Sequence, residues 1–147
     1  MIQPSTIIVF IVLAAICVYH CLDWIKPPAI QIIPQLRPPW VAGQASAEVY
    51  QVTFILDRKY RLTCVKVVPV WVLETNKYAP PVWHLVSSSN SVPQRGFLYG
   101  MTIPGMQPKR ADAQPQPLVP DRAYRLYLES GRVKGQVDFR TRAWTGN

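Results

Sequence analysis

Apolar residues fall in two different patterns along this chain, and the change between them divides it. Residues 6–22 (TIIVFIVLAAICVYHCL) are apolar almost throughout and include no Lys, Arg, Asp or Glu. At about 1.5 Å of rise per helical residue the run extends roughly 25 Å, near the short end of what crosses a bilayer. After Pro27 and Pro28 the apolar residues come in short alternating runs, as in strands with one buried face. Residues 29–36 are a candidate first strand. Pro34 inside it assigns it to a sheet edge, because proline has no amide hydrogen to give a ladder. In residues 48–56, Tyr50, Val52, Phe54 and Leu56 share one face, and Gln51 and Thr53 the other. Asp57-Arg58-Lys59 reads as a turn, with Tyr60, Leu62 and Cys64 on the apolar face of a returning strand, so the stretch predicts a hairpin. Val65 and Val67 flank Lys66 in the opposite parity, which a bulge near Cys64 would absorb. Residues 69–73 continue that strand or begin an edge strand. Residues 82–86 and 97–100 are short strands, and 102–117 a long polar loop rich in proline.

The alternation is clearest from Leu118 onward. Tyr124, Leu126 and Leu128 point one way, and Arg125, Tyr127 and Glu129 the other. Ser130-Gly131 is a two-residue turn signal. The return strand sends Val133, Gly135, Val137, Phe139 and Thr141 inward, and Arg132, Lys134, Gln136, Asp138 and Arg140 outward. That register sets Glu129 opposite Arg132 and Tyr127 opposite Lys134. A slip of one residue would bury all five polar residues, so the faces are firmly specified. About seven short strands, with turns about every ten residues and no helical period, predict an antiparallel β-sandwich.

The Leu118-x-Pro120-x-x-x-Tyr124 spacing resembles that of fibronectin type III domains, in which the tyrosine forms a corner at the start of the penultimate strand. The resemblance runs on through Tyr124-x-Leu126-x-Leu128, a turn, and a last strand ending at Phe139-Arg140-Thr141. It covers roughly the last thirty residues and departs earlier, since Trp83 falls late for the family's early-strand tryptophan. The fold class it implies is an all-β antiparallel sandwich, immunoglobulin or fibronectin III-like; the apolar run at residues 6–22 adds one N-terminal transmembrane helix before it. The resemblance implies an extracytoplasmic recognition or spacer module and no particular chemistry.

The apolar run has competing readings. A cleaved signal peptide wants a basic start and a small-x-small cleavage site, but the start is Met-Ile-Gln-Pro-Ser and residues 18–24 offer no such pattern. Ile16 and His20 before the two cysteines do not suit a lipoprotein signal. A core helix would need protein around its whole circumference, more than the remaining chain supplies. A retained signal-anchor is therefore expected, capped by Ser5 or Thr6. Tyr19 and Trp24 would lie at the membrane interface, Lys26 would snorkel from it, and Pro27 and Pro28 end the helix. Counting Lys26 and Arg37 as inside would put the domain in the cytoplasm, whereas the resemblance puts it on the outer side. The outer side is the expectation adopted. The predicted division is residues 1–26 as anchor, 27–46 as Pro-rich linker with a possible edge strand, 47–142 as sandwich and 143–147 as tail.

Composition adds limits. Ten of the fifteen prolines fall in 27–39 and 104–120, which read as linker or loop rather than as helix. A net charge of +8, sixteen basic residues against eight acidic, favours anionic surroundings. Cys64 is the one cysteine of the domain, so no intradomain disulfide can form. Cys17 and Cys21 share a face of the apolar helix. His20 and His84 are the only histidines. Cys64 and His84 can meet in space, but two ligands make no metal site. There is no G-x-S-x-G, the carboxylates are scattered, and Gly96, Gly100 and Gly105 do not form a phosphate loop. No catalytic, metal or cofactor site is expected, and the chain reads as not an enzyme. The candidate binding face is Arg125, Tyr127, Arg132, Lys134 and Arg140, outward on one hairpin. No RNA-recognition signature accompanies it, so nucleic acid is not an expected partner. The bilayer, another envelope protein or an anionic polymer are the nearer partners. Trp40, Trp71, Trp83 and Trp144 serve packing or a stacking platform. The expected function is a membrane-anchored, non-enzymatic interaction or scaffold protein; the alternative is an envelope polymer or carbohydrate-binding module.

Overall fold

The computed structural model describes residues 3–24, 28–39, 48–88 and 90–145. Helix α1 spans Pro4–Trp24. In its first turn Thr6 N–H donates to Gln3 O at 3.0 Å. Pro4 thus stands inside the first turn, where its missing amide costs nothing, and the capping position lies before Ser5 and Thr6 rather than on them. Within α1, Pro4–Leu22 is long and apolar enough to cross a membrane, and its 19 residues rise about 28 Å. Every side chain in that stretch is exposed. The helix therefore gives nothing to the domain's core, and the core-helix reading fails.

The rest is two antiparallel sheets around one core. Strands β1 (Ile32–Arg37), β2 (Gln51–Tyr60) and β5 (Gln94–Leu98) form the first, in the order β1-β2-β5. Strands β6 (Gln107–Pro108), β4 (Trp83–Val86), β3 (Cys64–Pro69), β7 (Ala123–Ser130) and β8 (Val133–Arg140) form the second, in that order. Val52, Phe54, Leu56 and Phe97 from one sheet meet Val65, Val67, Trp83, Leu85, Tyr124, Leu126, Leu128 and Phe139 from the other. Phe54 is the centre of contact, with ring centroids 5.4 Å from Phe97 and 5.1 Å from Phe139. β1 is an edge strand, as Pro34 requires.

Several local expectations are corrected. β2 and β3 are not a hairpin. β2 continues through Asp57-Arg58-Lys59 to Tyr60, and β3 pairs with β4 and β7 in the other sheet. The three polar residues follow a register shift between Ile55 and Tyr60, where the Tyr60 hydroxyl donates to Asp57 Oδ1 (3.1 Å) and accepts from Arg58 Nε (2.9 Å). The chain then crosses between sheets at residues 61–63, burying Leu62 completely. This crossing makes the parity change assigned to a bulge near Cys64, and it turns Cys64 away from the core. Residues 70–73 form no strand but a single helical turn, α2 (Val70–Leu73). Pro69 ends the ladder, and Trp71 packs edge-on against Tyr124 at 5.1 Å.

The inward and outward sets of β7 and β8 are as the alternation predicts. The register, however, differs by two residues: Glu129 opposes Lys134, and Tyr127 opposes Gln136. The loop is Gly131-Arg132, with Gly131 at φ +61°, while Ser130 stays in the strand and donates its hydroxyl to Arg61 O at 2.7 Å. An even shift leaves the faces unchanged.

Two fastenings hold the ends of these strands. Val119 N–H donates to the Tyr124 hydroxyl at 2.9 Å, tying the approach to β7 against its own first turn. Ile30, two residues before β1, is 3% exposed, and its N–H donates to Lys134 O at 3.0 Å. The strand opposite has Gly135 there; a Cβ on it would lie 2.6 Å from Ile30 O.

Candidate functional site: the outer face of the five-stranded sheet

Side chains alternate along each strand, so pairing across β4, β3, β7 and β8 arranges the outward residues in rows. One row reads Val86, Cys64, Glu129, Lys134; the next His84, Lys66, Tyr127, Gln136; the third begins at Val68 and continues through Arg125 and Asp138. The short β6 extends the sheet beyond β4, with Lys109 N–H donating to His84 O at 3.2 Å.

Most charges on this face are matched. Arg125 grips Asp138 with two bonds, Nε to Oδ1 at 2.6 Å and the terminal nitrogen to Oδ2 at 2.9 Å. The guanidinium holds the Asp138 carboxyl below the ordinary carboxylate range, and its own basicity rises. Lys134 reaches Glu129 Oε1 at 3.2 Å. Lys66 Nζ sits 5.0 Å from the centre of the Tyr127 ring, a cation over a π face. Arg140 donates to the Asp121 carbonyl at 3.2 Å.

The predicted binding residues are therefore not one patch. Arg125, Tyr127 and Lys134 lie in adjacent rows, two of them already ion-paired. Arg132 stands in the β7–β8 turn and Arg140 at the far end of β8. Eight residues of strand at about 3.4 Å each separate those two ends by about 27 Å. Of the interface residues, Tyr19 is exposed near the end of α1; Lys26 and the Trp24 side chain lie outside the described residues, as does Trp40. The other tryptophans pack: Trp83 is buried, Trp71 also stacks under Arg122 at 5.4 Å, and Trp144 meets Tyr50 edge-on at 5.0 Å.

Cys64 and His84 do meet, with Sγ 3.5 Å from Nε2. Burial raises the thiol's pKa and the Glu129 charge adds to it, against three nearby lysines. Burial lowers the imidazole's pKa, and Lys109 and Lys66 lower it further. Both shifts favour neutral thiol and neutral imidazole, the opposite of the thiolate–imidazolium pair that makes a cysteine nucleophilic. Among the described residues no three His, Cys, Asp or Glu side chains converge as metal ligands. Beside His84, Lys109, Arg110 and Asp112 border an open cleft of about 640 Å³.

Sequence reasoning did not assign Lys66 to this face, though its place between Val65 and Val67 marks it as outward. It also read Arg58, Lys59 and Arg61 only as turn and strand residues. Comparison with protein-family models, with curated proteins and with solved structures finds no match.

Proposed function

We propose that this chain is a single-pass membrane protein whose retained N-terminal helix holds a fibronectin type III-like sandwich against the outer side of a membrane, where it serves as a non-enzymatic interaction or scaffold module. The fold assignment draws support from the division of strands. The first, second and fifth lie in one sheet, and the third, seventh and eighth in the other, as in immunoglobulin-type sandwiches. Tyr124 supports it too, opening β7 with its hydroxyl bonded to backbone five residues upstream, the arrangement of a tyrosine corner.

The observation that carries the proposal is the shortness of the tether. Only residues 25–29 separate Trp24, the end of the helix, from Ile30, which is buried in the domain. Six Cα steps span at most about 22 Å. A spacer this short suits a module held at the surface, not one that ranges away from it. The outer face of the three-stranded sheet offers a contact area, with Ile33 beside Ile55 and Leu98 beside Thr53. Ile33 is 59% exposed, and among the described residues Thr53 Oγ1 is buried without a hydrogen-bond partner.

The test is fractionation of the full chain, followed by photo-crosslinking from Ile33. The protein should stay in the membrane pellet through alkaline carbonate, and a crosslinker at Ile33 should capture a discrete partner that one at exposed Glu74 does not. Release into the soluble fraction would refute the anchor. Identical products from both positions would refute the interaction face.

The second reading, an anionic or carbohydrate polymer-binding module, is favoured by the cleft beside β4, where His84 and the cations Lys109 and Arg110 lie together with the single carboxylate Asp112. Pull-down on anionic polymers with Lys109→Glu and Arg110→Glu separates the two.

A further inference from the structure

The tether fixes which end of the domain meets the membrane. Ile30 enters at the end where β8 begins, since its amide bonds to Lys134 O, and Gln31 O accepts from Asp57 N–H at 3.2 Å. With at most about 22 Å of connecting chain and strands up to about 34 Å long, the domain cannot turn its opposite end to the bilayer while Ile30 stays seated.

The same end gathers two basic loops. The β2–β3 crossing brings Arg58, Lys59 and Arg61; the β7–β8 turn brings Arg132 and Lys134; all five are exposed. The loops are fastened together by Ser130 Oγ on Arg61 O at 2.7 Å and by Thr63 N–H on Glu129 O at 2.7 Å. Two carboxylates share this end and are used: Asp57 lies 3.6 Å from Arg58 and Glu129 3.2 Å from Lys134. Among the described residues no carboxylate lies within ion-pair distance of Lys59, Arg61 or Arg132. Five cations against two carboxylates leave these two loops at +3, and Arg95, exposed beside Gln94 where β5 begins opposite Tyr60, adds to the same end.

We propose that this end is a docking surface for anionic phospholipid headgroups, with Lys59, Arg61 and Arg132 as its contacts. It rests on the anchoring reading and adds to it a preferred lipid. A basic residue held near an anionic leaflet favours the surface by about fivefold, so three unpaired cations favour the docked orientation by about a hundredfold. The attraction fades within a Debye length, about 8 Å at physiological salt, so it acts only because the tether already holds this end close.

The experiment uses the full chain in lipid nanodiscs. One dye is placed through Ser88→Cys in a Cys17→Ser, Cys21→Ser, Cys64→Ser background, and energy transfer to headgroup-labelled lipid is read. Ser88 follows Ser87, whose N–H bonds to Thr63 O at this same end. Transfer should be higher in discs with 30% phosphatidylglycerol than in pure phosphatidylcholine, and should fall towards the neutral-disc value at about 0.5 M salt. Lys59→Gln, Arg61→Gln and Arg132→Gln together should erase the difference. Lys77→Glu with Arg142→Glu, exposed at the other end, should leave it intact. Equal transfer in both lipids, or a difference that survives the triple change, would overturn the docking surface while leaving the anchor standing. A chain that does not co-purify with discs of either composition would overturn the anchor itself.

Discussion

Replacing Gly135 by Ala tests the fastening on which the proposed orientation of the domain depends. The added Cβ would stand 2.6 Å from Ile30 O and 2.8 Å from Ile30 Cβ, closer than atoms pack. Neither neighbour is a flexible side-chain tip, so the segment around Ile30 must leave its seat. Exposing a buried isoleucine costs about 1.5–3 kcal/mol, and losing the Ile30–Lys134 backbone bond about 1 more. Alanine in a strand recovers about 0.5–1 relative to glycine. The net loss is about 2–3 kcal/mol, or roughly 10–20 °C in melting temperature for a domain of this size. Urea unfolding of the detergent-solubilised chain, followed by tryptophan fluorescence, measures it. Amide exchange at Ile30 localises it. Gly131→Ala is the companion: nothing lies within 4 Å of its added Cβ, but its φ of +61° strains any other residue by about 1 kcal/mol, and Ile30 should remain protected. A Gly135→Ala protein within about 0.5 kcal/mol of the parent, its Ile30 amide still slow to exchange, would refute the reasoning.

Other contacts carry shorter predictions. Tyr124→Phe removes the acceptor for Val119 N–H and should cost about 1 kcal/mol, lowering the melting temperature by about 4–8 °C; a shift below 1 °C would show the bond to be idle. His84 carries a folded-state pKa below its ordinary value of 6.5, so the unfolded chain takes up its proton at higher pH than the folded one. Its contribution is complete above about pH 6.5 and is lost as pH falls through that value, and a melting-temperature series from pH 7.5 to 5.5 should flatten in His84→Gln. The Asp138 carboxyl, shifted downward by Arg125, loses its contribution only at more acidic pH, below the ordinary carboxylate value of 3.8, and so does not enter that window.

Period-two alternation made the faces of β7 and β8 legible, because every misplacement there would bury a charge. Pro34 likewise placed β1 at an edge by chemistry alone. The partners of strands were not legible. Tyr60, Leu62 and Val65 look the same whether the chain doubles back in one sheet or crosses to the other, and only the whole core decides. The two-residue error at Ser130 arose because both possible loops contain Gly131; what holds Ser130 in the strand is Arg61, far away in sequence. The outward hairpin residues were assigned to a face correctly, but the sequence did not reveal that Asp138 and Glu129 answer two of the cations. Lys59, Arg61 and Arg132 come to share one end of the domain only through the crossing between sheets.

The seat of Ile30 also decides how the domain bears load. β1 runs from the tethered end towards the far end, antiparallel to β2, with six residue pairs from Ile32–Leu56 to Arg37–Gln51. If a partner grips the far end, tension from the bilayer travels along the axis of β1. All six pairs then resist together in shear instead of parting one after another like a zip, so under the proposed anchoring the pull meets the β1–β2 ladder in its stiffest direction.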